Sequence, residues 1–294
     1  MHPWQSFLLG LIEGITEFLP ISSTGHLIVA QRLMGIGTIS PAEKEAADAF
    51  AICIQGGAIL AVLGLYSRHV KQMIAGLFGK DTEGLRLLIN LIAGFLPAAV
   101  IGVLANDWIE EKLFGLWPVI TAWAVGGVAI LAVSFWRKKH PVTGGARELG
   151  SLTWQLALVI GLLQCVAMWP GTSRSLMTIV GGLMVGLSVR AAVEYSFLLG
   201  VVTLTAATAK KAVWKMHHSG PEFEHWLGGA KLMWKQFGGV NLAIGVIAAM
   251  VFAALAVKWL VGYLQRHGLA IFGWYRIALG ALIGGLVAAG LLSA

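Results

Sequence analysis

Apolar residues along this chain gather into blocks rather than into the one-faced pattern of a soluble helix. Several blocks reach about 18–24 residues, the length needed to cross a hydrocarbon core roughly 30 Å thick. The clearest are 86–106 (RLLINLIAGFLPAAVIGVLAN) and 239–262 (GVNLAIGVIAAMVFAALAVKWLVG). The pattern predicts six full crossings, near 49–66, 86–106, 116–136, 192–210, 239–262 and 271–292. Two further apolar regions, 4–34 and 152–187, are broken in the middle, by Pro20 and by Pro170-Gly171. A polar cluster follows each break: Ser22-Ser23-Thr24, and Thr172-Ser173-Arg174-Ser175. Two short half-helices around a polar break predict a re-entrant hairpin, which lipid tolerates only where the break is buried in protein or lines a wet cavity.

The broken regions also match each other. GLIEGITEFLPISST at 10–24 aligns with GLLQCVAMWPGTS at 161–173, with a small gap before the proline, pairing Glu13 with Gln164, and the same offset of 151 relates Asn90 to Asn241 and Trp108 to Trp259. The expected organisation is one all-α polytopic membrane domain built from two copies. The first, 1–140, holds the hairpin 4–34 and three crossings. The second, 150–294, holds the hairpin 152–187 and three more. An odd number of crossings inverts the second copy, and inverted-topology repeats place a site at mid-membrane between broken helices.

Composition agrees with this reading. Of 294 residues 57% are hydrophobic and 12% charged, with a mean hydropathy of +0.80. The 38 glycines suit helices that approach closely in lipid. The net charge of +7 fits basic loops at a cytoplasmic surface, and no nucleic-acid motif accompanies it. Cys53 and Cys165 form neither metal spacing nor a disulfide framework. The start, MHPWQSFLLG, lacks the basic region of a cleavable signal peptide. Loop 67–85 (Arg68, His69, Lys71, Lys80) and loop 137–150 (Arg137, Lys138, Lys139, Arg147) are expected in the cytoplasm. The acidic loop 107–115 (Asp107, Glu110, Glu111, one Lys112) and both termini are expected outside. Loop 211–238 falls outside too, against the charge rule, since it holds Lys211, Lys215, Lys231 and Lys235.

Two constellations carry candidate chemistry. In the first, Glu13 and Glu17 stand one helical turn apart, ahead of Pro20 and Ser22-Ser23-Thr24-Gly25-His26. An acidic residue at a helix centre in lipid costs about 2.5–3.5 kcal/mol, so a pair of them has a use. They could hold a divalent cation through oxygen ligands, or one could act as a base. In the second, Gly171, Thr172, Ser173, Arg174 and Ser175 open a helix whose first N–H groups favour an anion. Arg174 adds a planar fork for phosphate oxygens. Ser22, Thr24 and Gly25 offer similar donors from the first break. His217, His218 and His225 read as part of a solvated loop, and the twelve tryptophans as an interfacial belt.

The stretch Glu13-Gly14-Ile15-Thr16-Glu17-Phe18-Leu19-Pro20-Ile21-Ser22-Ser23-Thr24-Gly25-His26, with Pro170-Gly171-Thr172-Ser173-Arg174-Ser175, closely resembles the two signature motifs of the bacterial undecaprenyl-diphosphatases, also known as bacitracin-resistance proteins. The resemblance covers essentially the whole chain. It implies six crossing helices plus two re-entrant hairpins in inverted repeats. It implies hydrolysis of undecaprenyl pyrophosphate to the monophosphate on the outer, periplasmic side of the bacterial cytoplasmic membrane. That reaction recycles the lipid carrier of cell-wall synthesis and confers bacitracin resistance. It also implies a divalent cation, Mg or Ca. By motif position Glu13, Glu17, Ser23, His26 and Arg174 match the catalytic set, with Ser23 as proposed nucleophile. His26 or water remains an alternative attacker. Leu176-Met177 stands where many members carry a small Gly-Ala pair. The partners implied are a polyprenyl pyrophosphate and the bilayer, with a homodimer compatible. A proton- or ion-coupled anion or lipid transporter is the rival, since inverted repeats and membrane carboxylates also describe secondary transporters.

Overall fold

The apolar blocks become helices because a chain in lipid must satisfy every backbone group within itself. The computed structural model describes residues 1–113, 115–139, 146–213 and 228–292. Its helices in chain order are α1 (Pro3–Thr16), α2 (Ser23–Leu33), α3 (Pro41–Leu65), α4 (Ser67–Leu77), α5 (Thr82–Leu104), α6 (Asn106–Leu113), α7 (Leu116–Lys139), α8 (Trp154–Gln164), α9 (Arg174–Met184), α10 (Val189–Val213), α11 (Gly228–His267) and α12 (Ala270–Ala288). Among the described residues six helices are long and apolar enough to cross a bilayer: α3, α5, α7, α10, α11 and α12. They fall on the six expected crossings.

The differences are at the ends. α3 begins at Pro41, eight residues before its apolar run, because proline at the first helical position and Glu43 in the first turn suit a helix start. α11 carries a left-handed Gly238 (φ 74°), which divides an amphipathic lead-in from the expected crossing at 239–262. Loops 67–85 and 107–115 contain helices α4 and α6. Charge marked these segments as lying outside hydrocarbon, and that does not make them coil. Lys215, His217, His218 and His225 lie outside the described residues, as does the half of loop 211–238 from 214 to 227.

The halves of the two broken regions are short. α1 has 14 residues, and α2, α8 and α9 have 11 each, against about 20 for a span. Each half is by itself too short to cross.

The described chain divides into two compact units. One comprises Met1–Phe18, Ser23–Leu65 and Thr203–Val257, the other Leu19–Ser22, Tyr66–Val202 and Lys258–Ala294. In the first, Leu9, Leu27, Phe50, Ile54, Met233 and Phe237 form the core, and Phe50 meets Phe237 edge to face at 5.5 Å. In the second, α5 packs on α8 and α7 on α12.

Close helix contacts rest on glycine. A Cβ on Gly10 would strike the Gly245 carbonyl, and one on Gly161 would strike the Gly94 carbonyl. Gly10 and Gly161 are 151 positions apart, as are Gly94 and Gly245. The asparagines do the same: Asn90 Nδ2 donates to the Leu152 carbonyl at 2.8 Å and Asn241 Nδ2 to that of Met1 at 3.0 Å. Asn90 and Asn241, like Met1 and Leu152, stand at the same offset.

Candidate active site

The first constellation is built by the end of α1 and the start of α2. Glu13 lies in the last turn of α1 and Glu17 is its C-cap, with the Glu17 N–H donating to the Glu13 carbonyl at 2.9 Å. The i, i+4 spacing therefore holds as geometry, on one helix face. Both carboxylates are buried, Glu13 completely and Glu17 to 7% exposure. Ser23 opens α2, is buried, and donates its hydroxyl proton to Glu17 Oε2. Thr24 and His26 are half-buried and Gly25 is buried. His26 is three residues beyond Ser23 on the same helix, so the two share a face. This group is a buried hydroxyl donating to a buried carboxylate, an arrangement of the kind that nucleophile activation requires.

The second constellation opens α9. Gly171 has φ 99°, and a Cβ there would meet the Val119 carbonyl and the Ala122 Cβ. Only glycine passes that gap. Ser173 is the N-cap of α9, its oxygen accepting from the Leu176 N–H at 3.3 Å. Thr172 Oγ1 donates to the Trp169 carbonyl at 2.6 Å and to that of Val166 at 3.1 Å. Ser175 is fully buried, donates to the Leu19 carbonyl at 2.9 Å and lies 3.0 Å from Ser173 Oγ. In this arrangement the hydroxyls of Thr172, Ser173 and Ser175 hold the turn. Arg174, half-buried, is the cationic group of the constellation, and its Nη1 donates to the Ser196 carbonyl at 3.0 Å.

The two breaks share a backbone oddity. Among the described residues Ser22 (φ 72°) and Ser173 (φ 76°) are the only non-glycine residues in the left-handed region. Each costs on the order of 1–2 kcal/mol and immediately precedes the first residue of a helix, Ser23 or Arg174. Left-handed residues outside glycine collect at functional sites, where surrounding contacts enforce them.

Those contacts include a residue that the motifs do not contain. Arg276, in the middle of the last apolar block, is fully buried. Its guanidinium donates to five carbonyls: Ala122 and Gly171 at 2.8 Å, Thr172 at 3.0 Å, Pro20 at 3.3 Å and Trp123 at 3.5 Å. Gly126 leaves it room, since a Cβ there would fall on Nη2. Trp123 Nε1 adds a bond to the Ile21 carbonyl at 3.1 Å. The segment Leu19–Ser22 is thereby sewn to the turn Gly171–Ser175 by Ser175, Arg276 and Trp123. An arginine inside an apolar span is itself a signal of use, and it was available at Arg276. Arg276 lies in an unbroken apolar block, outside the two breaks that carry the motifs.

Both carboxylates of the first constellation are hard oxygen donors, suited to Mg or Ca. Among the described residues no group of three or more His, Cys, Asp or Glu forms a complete cage. Glu13 and Glu17 would supply two such donors, fewer than a complete cage needs.

Comparison with known proteins places these features. The family model described as Bacitracin resistance protein BacA matches residues 6–282. The chain is 42% identical over 283 residues to the undecaprenyl-diphosphatase of Sorangium cellulosum (strain So ce56), covering 96% of this chain and 86% of that protein. It is 42% identical over 289 residues to undecaprenyl-diphosphatase 2 of Rhodospirillum rubrum, covering 98% and 96%. To the undecaprenyl-diphosphatase of Pseudomonas syringae pv. tomato it is 42% identical over 279 residues, covering 95% and 92%. Both breaks fall inside the matched region, and the chain belongs to the bacitracin resistance protein BacA family.

Proposed function

We infer that this multi-pass membrane protein is a phosphatase that hydrolyses undecaprenyl pyrophosphate to undecaprenyl phosphate and inorganic phosphate, recycling the lipid carrier of cell-wall synthesis. The observation that carries the reading is the Ser23 hydroxyl donating to the buried Glu17 carboxylate. Hydrolysis by a covalent route needs such a pair, and transport does not. Family membership points the same way, so the transporter reading is not favoured.

In the proposed mechanism Glu17 takes the Ser23 proton as Oγ attacks the terminal phosphorus. The Oγ–P bond forms while the bond from phosphorus to the bridging oxygen breaks, and undecaprenyl phosphate departs. Water then cleaves the Oγ–P bond and releases phosphate. Glu17 thus takes the base role that the sequence leaves open for one of the two carboxylates. His26, one turn along α2, orients the attacking oxygen. Attack by His26 itself or directly by water are the alternatives that the variants below separate. Arg174 neutralises phosphate charge through its fork, and the N–H groups opening α2 and α9 favour the anion. Ser22, Thr24, Gly25, Gly171, Thr172, Ser173 and Ser175 shape those two turns. Glu13 and Glu17 would hold a divalent cation, Mg or Ca, which supplies charge neutralisation for phosphoryl transfer.

We further propose that 1–140 and 150–294 are inverted repeats with a re-entrant hairpin in each. The short half-helices, the paired left-handed serines and the glycine and asparagine contacts at an offset of 151 support this. The catalytic residues are proposed to act from the periplasmic side of the cytoplasmic membrane.

The test is phosphate release from undecaprenyl pyrophosphate by the purified protein in detergent, where no gradient exists. Steady turnover that ceases in Ser23→Ala is expected. A protein that binds the lipid yet releases no phosphate, with Mg or Ca supplied, would overturn the reading.

A further inference from the structure

The fork of Arg174 is seated by α10. Its Nη1 donates to the Ser196 carbonyl at 3.0 Å. Thr178 ties the same residues from α9: its Oγ1 donates to the Arg174 carbonyl at 3.0 Å and lies 2.6 Å from Ser196 Oγ. One turn beyond Ser196 stands Gly200. A Cβ at Gly200 would fall on Arg174, and its three nearest neighbours are Nη1, Cζ and Nη2 of that guanidinium. These atoms are the far end of a long side chain, held by the Ser196 carbonyl. A methyl group would therefore push the fork aside before it disturbed any backbone.

We infer that Gly200 is a positioning residue for hydrolysis, its missing side chain forming the notch that sets the Arg174 fork. The inference rests on the proposed role of Arg174 as a phosphate ligand. Guanidinium has five N–H donors in a fixed plane. The Ser196 carbonyl takes one, and the notch sets the plane in which the others point. A fork rotated out of that plane keeps its charge and loses the paired geometry on phosphate oxygens. Orientation of this kind is where modest displacements become large rate losses.

Fold and function are expected to respond differently to one substitution. Alanine favours a helix interior over glycine by about 0.5–1 kcal/mol, which offsets part of the loss when the guanidinium leaves the Ser196 carbonyl, so Gly200→Ala should stay folded and unfold within about 10 °C of the parent. Its turnover should fall about tenfold or more. Ser196→Ala keeps the backbone carbonyl and should lose less.

The experiment compares Gly200→Ala, Arg174→Ala and the double variant in detergent. Thermal unfolding, phosphate release from undecaprenyl pyrophosphate, and affinity for inorganic pyrophosphate as a probe are measured for each. The expected result is a folded Gly200→Ala with lowered turnover and weakened probe binding, and a double variant that binds the probe no worse than Arg174→Ala alone. Parental turnover in Gly200→Ala beside an inactive Arg174→Ala overturns the inference and leaves the role of Arg174 standing. Near-parental turnover in Arg174→Ala overturns that role instead. An unfolding temperature lowered by more than about 10 °C in Gly200→Ala, or weaker binding in the double variant than in Arg174→Ala, also overturns the inference, because the methyl would then be displacing something other than the fork.

Discussion

The two breaks are alike in backbone and unlike in chemistry. Ser22 and Ser173, 151 positions apart, hold the same left-handed conformation, and each hands over to a helix at the next residue. At that next position the first break has Ser23 and the second has Arg174. The carboxylates of the first, Glu13 and Glu17, stand opposite Gln164 and Met168 of the second at the same offset, and His26 stands opposite Met177. One break therefore has a serine hydroxyl donating to a carboxylate, and the other has a cation at the same position at a helix start. A left-handed residue before a helix start exposes first-turn N–H groups to an anion whichever side chain follows. Shape supplies the anion preference, and residue type assigns the task.

Ser23→Ala is the severest test of that division. Turnover should be abolished while the protein stays folded and binds a pyrophosphate lipid, as read by phosphate release beside a binding assay. Full activity would transfer the attack to His26 or water. Ser22→Ala should cost less, chiefly in affinity or stability.

Glu13→Gln makes the first break copy the second at one position. Activity should fall at least about tenfold, and the response to added Mg or Ca should weaken. Unchanged activity and cation dependence in both Glu13→Gln and Glu17→Gln would remove the carboxylates from the mechanism.

Arg276→Met tests what the breaks share. It leaves buried carbonyls without their donor, each costing about 1–3 kcal/mol. Stability and activity should fall together, unlike in Ser23→Ala, and a thermal melt beside the phosphate assay checks this. A stable Arg276→Met with parental turnover would show that the two turns hold without the clamp.

Arg174→Lys retains the charge and gives up the fork. Turnover should drop about tenfold, or about 1.4 kcal/mol of transition-state stabilisation.

The smallest effects should come from Ser22→Gly and Ser173→Gly. Glycine removes the left-handed cost of about 1–2 kcal/mol and adds conformational entropy to the unfolded chain. Ser173→Gly also loses the bond from the Leu176 N–H, which costs a few tenths of a kcal/mol for a glycine cap. Ser22→Gly should melt at or above the parent temperature, and Ser173→Gly slightly below Ser22→Gly.

Much of this comparison was legible in the residue order. The crossings follow from apolar length, a one-dimensional quantity. Proline, glycine and hydroxyl clusters located both breaks, and the i, i+4 carboxylates survived as geometry. Less legible was the use of each hydroxyl. Thr172, Ser173 and Ser175 read as anion donors, yet their hydroxyls hold backbone around the turn. Ser23 was matched to His26 by spacing, and in the fold its proton goes to Glu17, six residues back across the break. Periodicity describes neighbours along one helix and is silent where the chain reverses.

The sequence by itself determined a helical membrane protein with six crossings, two polar breaks, and a family fixed by the motif from Glu13 to His26. Those properties depend on apolar run length and on residues near one another in the chain. Only the tertiary structure decided how the breaks are held and aimed. Arg276 reaches Gly171 across 105 positions and Pro20 across 256, and Ser175 reaches Leu19 across 156. Gly200 matters only because Arg174 arrives against it from another helix. A buried carbonyl accepts whichever donor the fold delivers, and that choice is made by packing, not by position in the chain.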